Sequence, residues 1–138
     1  MHIYRAARLP STDNKHAMRL ALIAAGGALG SVSRYLLSMA VLRTTGSLFP
    51  AGTFVVNVVG CVVFGMIAGA AEQRVQLAPD LRLFLLVGVL GGFTTFSSYA
   101  FESVSLIRDG QFVWASINVV GQVVAGLIGL AIAFALMR

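Results

Sequence analysis

Charge is scarce in this chain. Only 11% of its 138 residues are Asp, Glu, Lys or Arg, against about 25% in an ordinary soluble domain. Acids are scarcest, with five in all: Asp13, Glu72, Asp80, Glu102 and Asp109. Histidine occurs at His2 and His16 alone. Metal-ligand clusters, nucleophile–base pairs and glycine-rich nucleotide loops are all missing, so no catalytic machinery is visible and an enzyme is not expected. The single cysteine, Cys61, cannot close an intrachain disulfide and reads as a small buried hydrophobe. The net charge of +5 comes from basic residues scattered singly, mostly at the edges of apolar stretches. Without a basic patch, a nucleic-acid partner is not expected.

Hydrophobicity is abundant. Apolar residues make up 58% of the chain, and the mean hydropathy is +0.88, values of a multi-pass membrane protein. Four apolar stretches each approach the roughly 20 residues a spanning helix needs. They run over about Leu20–Leu42, Gly52–Ala71, Leu81–Val104 and Phe112–Met137. Residues 1–17 are polar and mixed in sign and resemble an unstructured tail, which leaves 18–138 as one four-helix domain. A cleaved signal peptide is the rival reading of the N-terminus, but apolar character continues past Tyr35 without a convincing cleavage site. Met18 is an alternative start beside Met1. The connections are short, so sequential spans should be antiparallel neighbours.

Small residues recur at four-residue spacing: Gly26 and Gly30, Gly65 and Gly69, Gly88 and Gly92, Ala125 and Gly129. This spacing lets helix backbones approach closely in lipid. Four spans put both termini on one side, with Arg5, Arg8, Lys15, Arg19, Arg74, Arg82 and Arg138, against Arg43 and Arg108 opposite. The positive-inside rule then favours cytoplasmic termini; counted from Met18 the bias is weak and permits either orientation.

The third stretch contains Gly91-Gly92-Phe93-Thr94-Thr95-Phe96-Ser97-Ser98-Tyr99. Two glycines followed by β-branched and hydroxyl residues make a poor helix interior. Inside a bilayer a break survives only where protein, a cavity or an ion satisfies the freed backbone groups. The break is thus a site hypothesis, with ion or solute passage the first expectation. Other polar groups lie at membrane depth. Arg34 is in the first stretch and Asn57 in the second. Asn118 and Gln122 sit one helical turn apart in the fourth, and Glu102 closes the third. Thr94, Thr95, Ser97 and Ser98 add hydroxyls; Phe96 and Tyr99 share a face one turn apart. A set rich in N–H and O–H donors and poor in carboxylates suits an anion.

Three motifs carry a resemblance to a known family. Gly26-Gly27-x-x-Gly30-x-x-x-Arg34-Tyr35, Gly52-Thr53-x-x-x-Asn57-x-x-Gly60 and Gly91-Gly92-Phe93-Thr94-Thr95-Phe96-Ser97 resemble the Fluc/CrcB fluoride channels over roughly 18–138. The third motif is the specific one. The resemblance implies an all-α membrane protein of four transmembrane helices, the third broken at mid-membrane. It also implies an antiparallel, dual-topology homodimer, with a paralogous subunit as the other possible partner. It implies a structural sodium ion on the dimer axis, held by carbonyls matching Gly91 and Thr94, and no organic cofactor. It implies pores using Asn57, Phe96 and Tyr99, with Arg34, Thr53 and Glu102 at matching positions. Thr95, Ser97, Ser98, Asn118 and Gln122 are further pore candidates. Tyr99 stands where the family has phenylalanine, and Ala100 where serine is common. The implied function is passive export of cytoplasmic fluoride through a bacterial inner membrane, relieving fluoride toxicity.

Two other functions fit the size. A small proton-coupled exporter of four helices would need a membrane-embedded acid in its first helix, where this chain has Arg34 and none. A non-transporting assembly subunit would use the glycines for packing and the polar residues as helix glue.

Overall fold

The computed structural model describes residues 12–45, 48–73 and 77–138. Among them every regular element is helical. Helix α1 is Thr12–Thr45 and α2 is Ala51–Gln73. The third span, Pro79–Arg108, divides into α3 (residues 79–93) and α4 (Phe96–Arg108). The fourth span is α5, Phe112–Met137. All four spans are long and apolar enough to cross a bilayer.

Helix α1 has 34 residues, about 51 Å at 1.5 Å per residue, well beyond a hydrocarbon core of about 30 Å. Its first turns pass through residues 12–17, which composition assigned to the tail. No proline or glycine intervenes before Gly26, and extending an existing helix costs little per residue. Asn14, Lys15, His16 and Arg19 are exposed on this extension. The rest of the expected tail, residues 1–11, lies outside the described residues.

The glycine pairs explain the packing. Gly26, Gly30, Gly88 and Gly92 meet where α1 crosses α3. A Cβ on Gly26 would stand 2.8 Å from the Phe84 carbonyl oxygen, and one on Gly92 would stand 2.5 Å from that of Gly27. Gly65 and Gly69 lie against the backbone of α5; a Cβ on Gly69 would stand 2.5 Å from the Phe134 carbonyl oxygen. Two close-packed pairs result, α1 with α3 and α2 with α5, joined by a shorter seam between α1 and α2. Backbones this near gain dispersion contacts that lipid chains cannot match.

The turn from α4 to α5 is a glycine-capped helix end. Gly110 has φ +72°, the left-handed region that only glycine enters freely. Its N–H donates to Ile107 O at 3.1 Å, and that of Gln111 donates to Leu106 O at 2.8 Å, the paired bonds of a Schellman cap. Near the termini Arg19 pairs with Asp80 at 3.3 Å and Arg138 with Glu72 at 3.5 Å. Both pairs are half exposed and contribute little alone. Large apolar side chains such as Leu36, Phe101, Leu127 and Leu136 face outward, as a lipid-embedded surface requires.

Candidate functional site: the interrupted third span

Helix α3 ends at Phe93. Thr94 (φ −82°, ψ 156°) and Thr95 (φ −148°, ψ 115°) are extended, and α4 restarts at Phe96. The interruption redirects hydrogen bonds. In an unbroken helix the Thr95 N–H would reach Gly91 O and the Ser98 N–H would reach Thr94 O. Here the Thr95 N–H donates to Asn57 Oδ1 at 2.8 Å, and the Ser98 N–H donates to Thr95 Oγ1 at 3.2 Å. Thr95 is thereby the N-cap of α4. Asn57 Nδ2 donates in turn to Thr95 O at 3.0 Å. Thr95 Oγ1 lies 3.2 Å from Ser97 Oγ and donates to Ser98 Oγ at 3.1 Å, completing a hydroxyl cluster at the positive end of α4. Wider, π-type winding over Leu83–Leu90 and Ile117–Gly121 borders the region, a distortion common beside functional sites.

Two cavities meet at Thr95, which lines both. The larger, about 520 Å³, is mostly apolar; its polar edge is Asn57, Thr94, Thr95, Tyr99 and Gln122, and Gly91 and Phe96 also line it. The smaller, about 330 Å³, is bounded by Ser31, Arg34, Ser38, Thr53, Ser98 and Glu102. Thr53 Oγ1 donates to Glu102 Oε1 at 2.6 Å, and Glu102 Oε2 is buried without a partner. Arg34 shares this cavity but forms no ion pair with Glu102: the only ion pairs within 4.0 Å among the described residues are the two near the termini. Phe96 and Tyr99 stand with ring centroids 5.4 Å apart, tilted by 46°, an attractive aromatic geometry. Phe96 is 79% exposed. The Tyr99 hydroxyl donates to Val119 O at 3.3 Å, so this phenol is engaged with α5.

Of the residues singled out in the sequence, Asn57, Phe96, Tyr99, Gln122, Gly91 and Thr94 border the larger cavity, and Arg34, Thr53, Ser98 and Glu102 the smaller. Ser97 is exposed beside Thr95. Asn118 borders neither: it is fully buried and donates to Ser103 Oγ at 2.9 Å, which donates to Tyr99 O at 2.7 Å. Three residues escaped the sequence reading. Ser31 and Ser38 flank Arg34 at i−3 and i+4 and so share its face of α1, a stripe legible from spacing. Ser103 gave no signal, because a lone serine in a helix usually bonds back to its own turn.

Residues 21–134 match the family model described as CrcB-like protein, Camphor Resistance (CrcB). The chain belongs to the CrcB family. Among CrcB relatives, one from Maridesulfovibrio salexigens is 49% identical over 104 residues, covering 75% of this chain and 82% of the relative. Another, from Nitrosococcus oceani, is 43% identical over 120 residues, 87% of this chain and 96% of the relative. A third, from Geobacter sulfurreducens, is 46% identical over 107 residues, 78% and 86% respectively. All three carry the name fluoride-specific ion channel FluC. CrcB is a family of ion channels and not of enzymes, and the four spans make this member a multi-pass membrane protein.

Proposed function

We propose that this chain is a fluoride-selective channel that lets cytoplasmic fluoride leave passively. The observation that carries the reading is the interrupted third span: a donor-rich break whose Thr95 lines two cavities, in a chain whose relatives are named fluoride channels. Fluoride is small and tightly hydrated, so entry requires close donors that replace water. Asn57, the hydroxyls of Thr95, Ser97 and Ser98, and the ring edges of Phe96 and Tyr99 are such groups. Arg34 supplies positive potential at the smaller cavity, which raises the local anion concentration.

Two copies packed antiparallel complete the pathway in this reading. Support comes from what one copy leaves open: Phe96 and Gly91, which line the larger cavity, are exposed at the break. A break open to lipid is costly, and a second copy of the same break would cover it. The carbonyls of Gly91 and Thr94 fit a structural sodium ion, because the N–H groups that would close helical turns onto them are bonded to Asn57 and Thr95 instead. Neutral carbonyl oxygens suit a hard cation. Such an ion would hold the two breaks together and takes no part in moving fluoride. The reading places the dimer in a bacterial inner membrane, in both orientations.

The test is fluoride efflux from liposomes loaded with potassium fluoride and containing purified protein, read with a fluoride electrode. Efflux well above empty vesicles, without chloride efflux, is expected. Background flux from an intact, reconstituted protein overturns the proposal.

A further inference from the structure

An amide facing an anion is ambiguous, because its N–H attracts and its carbonyl repels. An asparagine at a pore wall therefore needs something to fix which end it shows. Asn57 meets both backbone groups of Thr95: Nδ2 donates to the carbonyl at 3.0 Å, and Oδ1 accepts from the N–H at 2.8 Å. Turning the amide over would set oxygen against oxygen and N–H against N–H, so this network admits one orientation only. Oδ1 and one Nδ2 hydrogen are engaged. The second Nδ2 hydrogen is the group left over, and Asn57 borders the larger cavity.

The same two bonds act on the backbone. By taking the Thr95 N–H, Asn57 keeps it from closing a turn onto Gly91 O, and by holding the Thr95 carbonyl it fixes the extended conformation (φ −148°, ψ 115°) between α3 and α4. Asn57 sits mid-helix on α2, one turn before Gly60, whose missing side chain leaves room for Thr94 Cγ2. Asn57 and Gly60 thus form a socket on one face of α2 for the two interrupted residues.

We infer that Asn57 is a clamp as well as a wall residue: the paired bonds with Thr95 hold the third span open and turn the amide so that only an N–H faces the larger cavity. This rests on the channel reading above for the identity of the anion, whereas the clamp itself stands on hydrogen bonds alone. Asn57 becomes a positioning residue for the break and a donor oriented by the residue it positions.

Amide hydrogen exchange at Thr95 reads the clamp independently of transport. The full-length protein is compared with Asn57→Ser and Asn57→Asp, with exchange elsewhere in α2 and α5 reporting that each variant is folded. Serine offers a hydroxyl donor but cannot span both groups. It is expected to speed Thr95 exchange at least tenfold and to reduce fluoride efflux to background. Aspartate can still accept from the Thr95 N–H but cannot donate to its carbonyl. Thr95 is expected to stay protected while efflux at neutral pH is lost. The proposal is overturned if the Thr95 amide exchanges equally fast in wild type and Asn57→Ser, or if Asn57→Ser conducts like wild type. If wild type is protected at Thr95 yet carries no fluoride, the clamp stands and the channel reading fails.

Discussion

At the scale of single residues, position and partner decide what each polar group does. Asn57 and Asn118 are the same residue type at membrane depth, and the sequence offered both as pore candidates. Asn57 borders a cavity and grips an extended backbone. Asn118 is fully buried and joins α5 to α4 through Ser103. Phe96 has the opposite character, an aromatic ring left open at the break. Phe96→Ile keeps an apolar side chain but removes the ring edge. It is expected to abolish fluoride efflux while the protein stays folded and keeps its elution volume; unchanged efflux would remove Phe96 from the pathway. Thr53→Val tests the smaller cavity. It strips Glu102 Oε1 of its donor when Oε2 already lacks one, and an unsatisfied buried acceptor costs about 1–3 kcal/mol. A lower melting temperature in detergent is expected, and an unchanged one would show that Glu102 is otherwise satisfied.

At the scale of elements, the glycines separate into those that hold helices together and those that do not. A Cβ on Gly30 would overlap the Val89 carbonyl on α3, whereas a Cβ on the neighbouring Gly27 meets nothing within 4 Å. Gly30→Ala is therefore expected to destabilise the protein by about 1–3 kcal/mol through overpacking. Gly27→Ala is expected to be neutral or to stabilise by up to about 1 kcal/mol, since alanine is the better helix former. Paired thermal melts check the contrast, and equal effects would refute the close α1–α3 crossing. The spans themselves were legible in the sequence: all four apolar stretches became helices, and the fourth has the bounds expected. The ends of the first were not, because a polar helix projecting from the membrane has the composition of a tail. The interruption was legible as a weak helix at Gly91–Tyr99. Its exact place, Thr94 and Thr95, depended on a side chain 38 residues away in sequence.

At the scale of the whole molecule, the proposed dimer would cover what a single copy exposes. Gly91 and Phe96 are exposed at the break, and few side chains among the described residues are buried. A particle of two chains is expected by light scattering after correction for detergent. Cysteines introduced singly beside the termini are expected to be labelled from both sides of a reconstituted vesicle, as two orientations require. A monomer, or labelling from one side alone in every vesicle, would contradict the dimer proposed here.

Hydropathy alone determined that this chain crosses a membrane four times, because the cost of burying polar groups in hydrocarbon is set by composition over a 20-residue length. Residue types alone marked a donor-rich interruption, and motif order marked the family. How Asn57 grips the interrupted backbone and how Asn118 binds helices together were decided only by tertiary structure. Those outcomes depend on hydrogen bonds between distant segments, and a hydrogen bond is fixed by distance and angle, not by residue type.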